Sequence, residues 1–416
     1  MEGITEKLRK GRYQHADVES GVREILAKVK QRGDRALFEL TKRFDGVSLT
    51  SLAVGGEEIR EAYQSVDRKL VRALRMAERN IGKFHRRHVK KREKPVETTK
   101  GVRVWREFRP IERVGFYVPG GKAAYPSTVL MLAVPARIAG CREVIMCTPA
   151  CEDGGCHPAV LVAADLCGVK KIFKIGGAQA IAAMAYGTET VPQVYKIFGP
   201  GNAYVTTAKM LVYGLVDIDM PAGPSEVLII ADEKANPDWI AADLLAQLEH
   251  GEDSQAILIT PSRRLAEGVA QKVRTQMKQS PRQEILKGSI KNCVALVVGS
   301  VAEACMIANA YAPEHLEIMA RNDVGILNKI TNAGSVFLGN YTPEPLGDYA
   351  TGANHTLPTS GFSRMFSPLS TECFGKMMQV QRVSREGIQN LRKTVETLAK
   401  SEGLDAHRAA VSIRFE

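Results

Sequence analysis

Between Gly21 and about Phe84 apolar residues recur every three or four positions among charged ones, as in "GVREILAKVKQRGDRALFELTKRFDG" and "VRALRMAERNIGKFH". That spacing puts them on one helical face and predicts a helical N-terminal segment. The period then changes. "RVGFYVPGG", "EVIMCTP", "KKIFKIGGAQ" and "QVYKIFGPGN" are short apolar, β-branched or aromatic runs that end in or near Gly or Pro, each followed by a helix-like stretch. Strand followed by helix, repeated, predicts a parallel sheet with crossovers. A second series opens at "EVLIIAD" and continues through "PDWIAADLLAQLEHG", "QAILITP", a charged helix from about Ser262, "VALVVG" and "VAEACMIANAYA". The fold class is therefore α/β with two tandem units, and the stretch from about Gly361 reads as a helical, polar tail that docks on something else.

Composition narrows the class. The 416 residues are 44% hydrophobic, ordinary for a globular chain and more than one core usually fills. The longest apolar runs, such as "TVLMLAVPA", fall far short of the roughly 20 residues of a membrane span, and no exported-protein leader is apparent. Eight cysteines without the dense spacing of small secreted domains fit a reducing, cytoplasmic setting. Cys141, Cys147, Cys151 and Cys156, with His157, invite a metal reading. Their segment looks instead like a strand end, a Gly/Asp loop and a new helix rather than tight zinc knuckles. The net charge of +11 is concentrated in "KFHRRHVKKREK", residues 83–94, which raises nucleic-acid binding as a rival role. No aromatic interleaving or binding motif accompanies the run, so a solvated helix end explains it better.

Polar residues gather in four places. Gln247 and His250 stand three apart on one helical face and converge beside its last turn. "YAPEHLEI" holds the adjacent pair Glu314 and His315, "PLGDYATGANHTLPT" holds Asp348 and His355, and "EGLDAH" holds Glu402 and His407. Histidine, aspartate and an amide oxygen suit a divalent metal of mixed nitrogen and oxygen preference, zinc before manganese. None of these pairs has a strong metal-motif spacing, and each has a structural alternative as a satisfied core histidine or a helix cap. Glu314 and His315 suit acid–base work, but neighbours on a strand face opposite ways and share a site only at an element end, which Pro313 favours. The Gly-rich exits "VPGGKA", "GGAQAI" and "FGPGNAYV" lie between strand and helix, where backbone can approach a phosphate, although none is a G-x-G-x-x-G fingerprint.

These blocks together resemble the histidinol dehydrogenase family. "IDMPAGPSEVLIIADEKANPDWIAADLLAQLEH" (residues 218–250) is similar to the family's signature, and "RFDG", "VGFYVPGG", "KIGGAQAIAA", "IFGPGN", "YAPEHLEI", "GDYATGANHTLPT" and "EGLDAHRAAVSIR" follow in its order. The resemblance implies two incomplete Rossmann-like domains, with a helical N-terminal segment and a small C-terminal tail domain. The boundaries it suggests are an arm at 1–20, a metal-bearing and catalytic domain at 21–110 and 231–360, a dinucleotide domain at 111–230, and a tail at 361–416. It implies four-electron oxidation of L-histidinol through L-histidinaldehyde to L-histidine, with two NAD consumed per turnover and one Zn2+ per subunit.

Residue by residue, the resemblance makes Gln247, His250, Asp348 and His407 metal ligands. Glu314 and His315 become the catalytic pair, and Tyr117, Gln179 and Asn202 the NAD contacts. Ser225, His355 and Glu402 join His315 and the ligands around the substrate. It further implies a cytoplasmic homodimer with intertwined tails, His407 and Glu402 crossing to the partner subunit, and no nucleic-acid or membrane partner. A sister dehydrogenase for another amino or sulfonated alcohol is the alternative. Trp105 and Arg106 depart from the family's frequent Gly-Gln pair, and "SPLSTECFGKMMQ" is a loose version of its block.

Overall fold

The computed structural model describes residues 8, 18–88, 92–120, 124–221 and 223–416. Most of the expected arm at 1–20, residues 89–91 of the basic run and residues 121–123 of the first Gly-rich turn lie outside them. Strands β1 (Val96–Thr99) and β2 (Val102–Pro110) come first. They are followed by β3 (Arg113–Tyr117), β4 (Glu143–Thr148), β5 (Lys171–Lys174), β6 (Lys196–Phe198) and β7 (Asp217–Ile218). Strands β3 to β7 form a parallel sheet in the order β5-β4-β3-β6-β7.

The second series comprises β8 (Glu226–Ala231), β9 (Gln255–Thr260), β10 (Cys293–Val297), β11 (His315–Met319) and β12 (Ser335–Leu338), parallel in the order β10-β9-β8-β11-β12. Both sheets therefore wind outward in two directions from their first strand, the order of a doubly wound dinucleotide fold short of its sixth strand. Every residue of β8 and β11 is buried, as expected of central parallel strands covered on both faces. Apolar clusters lie on each side of each sheet, and each fully buried Val, Leu or Ile contributes about 1.5–3 kcal/mol.

The N-terminal helices form as their periodicity predicts, but they cover the other sheet. Helix Glu19–Phe44 packs on helices Gly177–Tyr186 and Ala203–Val212; Gly56–Ser65 packs on Pro158–Leu166, and Arg68–His85 on Pro126–Ala139. These helices share their apolar clusters with the sheet of β3 to β7. Amphipathic spacing says that a face is buried, without saying against what. Gly33 kinks the first helix at φ 49°, where a Cβ would fall 2.2 Å from the Glu189 carboxylate, so only glycine fits there without a shift.

The tail also differs from its helical expectation. Strand β13 (Gly375–Val383) pairs antiparallel with β2 from Gly375 opposite Pro110 to Val383 opposite Val102, completing the three-stranded sheet β1-β2-β13. Trp105 and Arg106 lie in that sheet, with Trp105 Nε1 donating to Glu107 and Arg106 paired to Glu93. Beyond β13, helices Arg385–Ser401 and Asp405–Ser412 pack on each other and leave Leu398, Leu404 and Ile413 exposed. No helix among the described residues is long and apolar enough to cross a membrane.

Candidate active site

Helix Pro237–Leu248 starts cleanly, with Asn236 capping the Asp238 N–H and proline in the first turn. Ile240, Ala241, Leu244 and Leu248 bury its apolar face and carry Gln247 into the interior at 0% exposure. Neither amide atom of Gln247 has a hydrogen-bond partner. Such a group costs about 1–3 kcal/mol unless something fills its valences. His250 lies two residues past the helix end. Its donor atom and one each from Glu344 and Asp348 lie within 4.8 Å of one another, the single such group among the described residues. Burial drives the His250 pKa down, partly offset by the Asp348 charge.

His315 opens β11, opposite Val227 of β8 and Ser335 of β12, and Glu314 immediately precedes it. The pair therefore sits at an element end, where adjacent side chains can serve one site. Backbone groups of Glu226 hold both: its N–H donates to Glu314 Oε2 at 2.9 Å, and its carbonyl lies 3.2 Å from His315 Nδ1. A carbonyl only accepts, so Nδ1 carries the proton and Nε2 keeps its lone pair. Nε2 has no hydrogen-bond partner and looks onto Asp348 Oδ1 at 3.8 Å and Glu344 Oε1 at 3.9 Å. Burial pushes the His315 pKa down to about 4 and that of Glu314 well above the carboxylate range.

The remaining expected residues divide. Ser225 precedes β8, its carbonyl accepting from the Gln255 N–H. His355 Nε2 is buried without a partner, and its charge would depress the pKa of both His250 and His315, which places it at the cluster. Glu402 and His407 do not reach the cluster within one chain: both are exposed on the tail helices. The sequence reading missed Glu344, Glu226 and Tyr311. Glu344 is the third member of the donor group, and desolvation raises its pKa to about 10. Its place four residues before Asp348 on one helix was a usable signal. The Glu226 carboxylate accepts from Tyr311 Oη at 2.5 Å and from the Ser360 N–H at 2.7 Å, fixing the backbone that holds Glu314 and His315.

The cluster lies at the amino edge of its sheet, because helix Pro237–Leu248 runs back from β8 and ends there. The other expected residues occupy the carboxyl edge of the first sheet. Tyr117, Gln179 and Asn202 line one cleft of about 960 Å³. Tyr117 Oη accepts the Gly177 N–H at 3.0 Å, and Asn202 caps helix Ala203–Val212 by accepting from the Val205 N–H. Gly199, at φ 120°, lies so close to β3 that a Cβ would fall 2.0 Å from the Tyr117 carbonyl. Ala124 lines the cleft, and the next residue, Tyr125, is within electrostatic range of Tyr349 beside Asp348.

The donor set fits a divalent cation. Nitrogen and oxygen atoms of His250, Asp348 and Glu344 converge beside His315, and the amide of Gln247, three residues before His250, is buried without a partner. All eight cysteines are unpaired thiols, and burial pushes the pKa of Cys141 and Cys156 up to about 12 and that of Cys147 higher, which disfavours the thiolate a metal needs.

Comparison with known proteins agrees with this architecture. A family profile described as histidinol dehydrogenase matches residues 8–415. The chain is 51% identical over 397 residues to a histidinol dehydrogenase of Bacteroides thetaiotaomicron, covering 95% of this chain and 92% of the relative. It is 48% identical over 395 residues to one of Methanocaldococcus jannaschii, with the same coverage of 95% and 92%. The crystal structure of histidinol dehydrogenase from Elizabethkingia anophelis superposes with a TM-score of 0.93 at 46% identity, covering 96% of this chain and 92% of that one. An acetylating aldehyde dehydrogenase from Geobacillus thermoglucosidasius, at TM-score 0.51 and 13% identity over 89% of this chain and 98% of that one, shares the fold alone.

Proposed function

This chain belongs to the histidinol dehydrogenase family, and from that premise we propose that it oxidises L-histidinol through L-histidinaldehyde to L-histidine, reducing two NAD and completing histidine biosynthesis. The observation that carries the reading is a neutral His315 facing the donor group of His250, Glu344 and Asp348, with the buried, unpartnered Gln247 amide three residues before His250. Gln247, His250 and Asp348, with His407 of the partner subunit, would hold zinc. Zinc bound there would position the carbinol carbon for hydride transfer more than it would acidify the alcohol, and its fixed positive charge would draw the buried Glu314 carboxyl back toward ionisation.

His315 Nε2 takes the hydroxyl proton while the carbinol hydride leaves to the nicotinamide, giving the aldehyde. Glu314, whose Oε2 lies 3.6 Å from His315 Nδ1, accepts a proton from the water that adds to the aldehyde, while protonated His315 returns its proton to the carbonyl oxygen and the diol forms. His315 then takes a proton from that diol as its hydride leaves to a second NAD, giving the carboxylic acid, which releases its proton to leave the carboxylate. Each oxidation thus moves one hydride and one proton, and no thiol is involved. Ser225, His355 and Glu402 of the partner subunit orient the substrate.

The cleft lined by Tyr117, Gln179 and Asn202 would hold the dinucleotide, which would supply the two-electron oxidant. The exposed apolar residues Leu398, Leu404 and Ile413 on the tail support a homodimer in which the tails cross over. A cytoplasmic setting supplies the NAD pool the reaction consumes. The test is NADH formed per L-histidinol consumed by metal-stripped protein, before and after zinc is restored. Two NADH per substrate, appearing with zinc, is expected; one NADH, or a response to another alcohol with none to histidinol, overturns the reading.

A further inference from the structure

The dinucleotide cleft contains an acid that the reaction does not use. Asp45 follows helix Glu19–Phe44, its N–H closing the last turn on the Thr41 carbonyl. Its side chain lines the same cleft as Tyr117, Gln179 and Asn202. Asp45 Oδ2 is buried without a hydrogen-bond partner, and burial pushes the carboxyl pKa up to about 6. At neutral pH it is therefore a mostly ionised acceptor that only a donor arriving from the cleft can satisfy. The other carboxylate on the cleft is Glu152, and no described lining residue is lysine or arginine. Beside Asp45 the exposed Phe44 ring offers an aromatic face, with the Arg43 guanidinium stacked on it 5.1 Å from the centroid and outside the lining.

None of Gln247, His250, Glu314, His315, Glu344 and Asp348 lines this cleft. It therefore holds the half of the dinucleotide remote from the reacting carbon, which is the adenosine half. We propose that Asp45 selects NAD over its 2′-phosphorylated form, accepting a hydroxyl of the adenosine ribose and repelling a phosphate at the same position. The proposal rests on the reading of this cleft as the dinucleotide site. The carboxyl end of the helix adds its own negative potential, so the acid and the backbone disfavour a second anion together.

The test compares the zinc-loaded wild type with Asp45→Asn, Asp45→Ser and Gln179→Ala in steady-state turnover with NAD and with NADP. Both Asp45 variants are expected to raise the KM for NAD about tenfold, the worth of one charge-assisted hydrogen bond, and to raise kcat/KM for NADP relative to NAD by about tenfold or more. An unchanged KM and an unchanged ratio in the Asp45 variants, while Gln179→Ala raises the KM for NAD, overturns the role of Asp45 and leaves the cleft in place. An unchanged KM in all three variants overturns the cleft and the proposal together. A titration of wild type needs no variant to fold: 5′-AMP is expected to bind more tightly than adenosine 2′,5′-bisphosphate, and equal affinities overturn the selection.

Discussion

Replacing Gln247 by methionine separates the stability of the protein from its function. The amide is fully buried beside Leu244 and Leu248, with neither polar atom partnered. Leaving it so costs about 1–3 kcal/mol, and an unbranched apolar chain of similar volume removes that cost with little packing strain. In excess chelator Gln247→Met is therefore expected to melt higher than wild type, by on the order of 5 °C for the transition of its own domain. Zinc narrows the difference. At about 100 times its dissociation constant it adds about 2.7 kcal/mol to the wild type. A variant whose zinc affinity has fallen about 100-fold gains only about 0.4 kcal/mol at the same concentration, so the gap between the two closes by about 2 kcal/mol.

The assay is thermal unfolding in chelator and in graded zinc, with NADH production read on the same samples. A methionine variant that melts no higher than wild type without metal would refute the claim that the amide is unsatisfied. An undiminished zinc-induced shift would refute its role as a ligand.

Three further outcomes follow from the site. His315→Asn should lower kcat for both oxidations by about 100- to 10,000-fold, whereas Glu314→Gln should slow chiefly the aldehyde step; stopped-flow NADH traces with histidinol and with histidinaldehyde distinguish the two, and equal losses on both substrates in both variants would break the division of labour. His85 is buried with Nε2 unpartnered, and its pKa is pushed from an ordinary 6.5 to about 4, by burial first and the His88 charge second; the unfolded chain binds the extra proton, so about 3 kcal/mol of stability present above pH 6.5 is lost as pH falls toward 4, and His85→Leu should flatten urea-denaturation midpoints across that window. Subunits carrying His407→Ala, mixed and exchanged with subunits carrying Glu314→Gln and His315→Asn together, should regain activity by forming one intact site per mixed dimer; no regain means the tail serves its own subunit.

Much of this was legible in the chain because it is local. Strand–helix alternation announced both sheets, and the spacing of Gln247 and His250 placed both at one helix end. Pro313 marked the element end where Glu314 and His315 share a site, which is the head of β11. What failed to show was long-range. The pattern of residues 21 to about 84 promised an apolar face without naming its partner, and the partner is the helical layer on the first sheet. Gly375–Val383 lacks a clean strand alternation because both its faces are largely exposed, and it is strand because β2 offers it an edge. Glu226 is read as one polar residue at the head of a buried strand until Tyr311, 85 residues away, is seen to hold it. The general rule for parallel sheets points to carboxyl edges, and it found the cleft; the cluster lies at the opposite edge of the second sheet, brought there by a returning helix.

Placing cofactor and substrate on separate sheets has a kinetic consequence. On the proposed reading two NAD molecules must visit one site in succession while a reactive aldehyde waits between them. A spent NADH anchored to the first sheet can be exchanged without disturbing groups anchored to the second. The division is thus a basis for processivity: the enzyme can turn over its oxidant twice without once letting go of the intermediate.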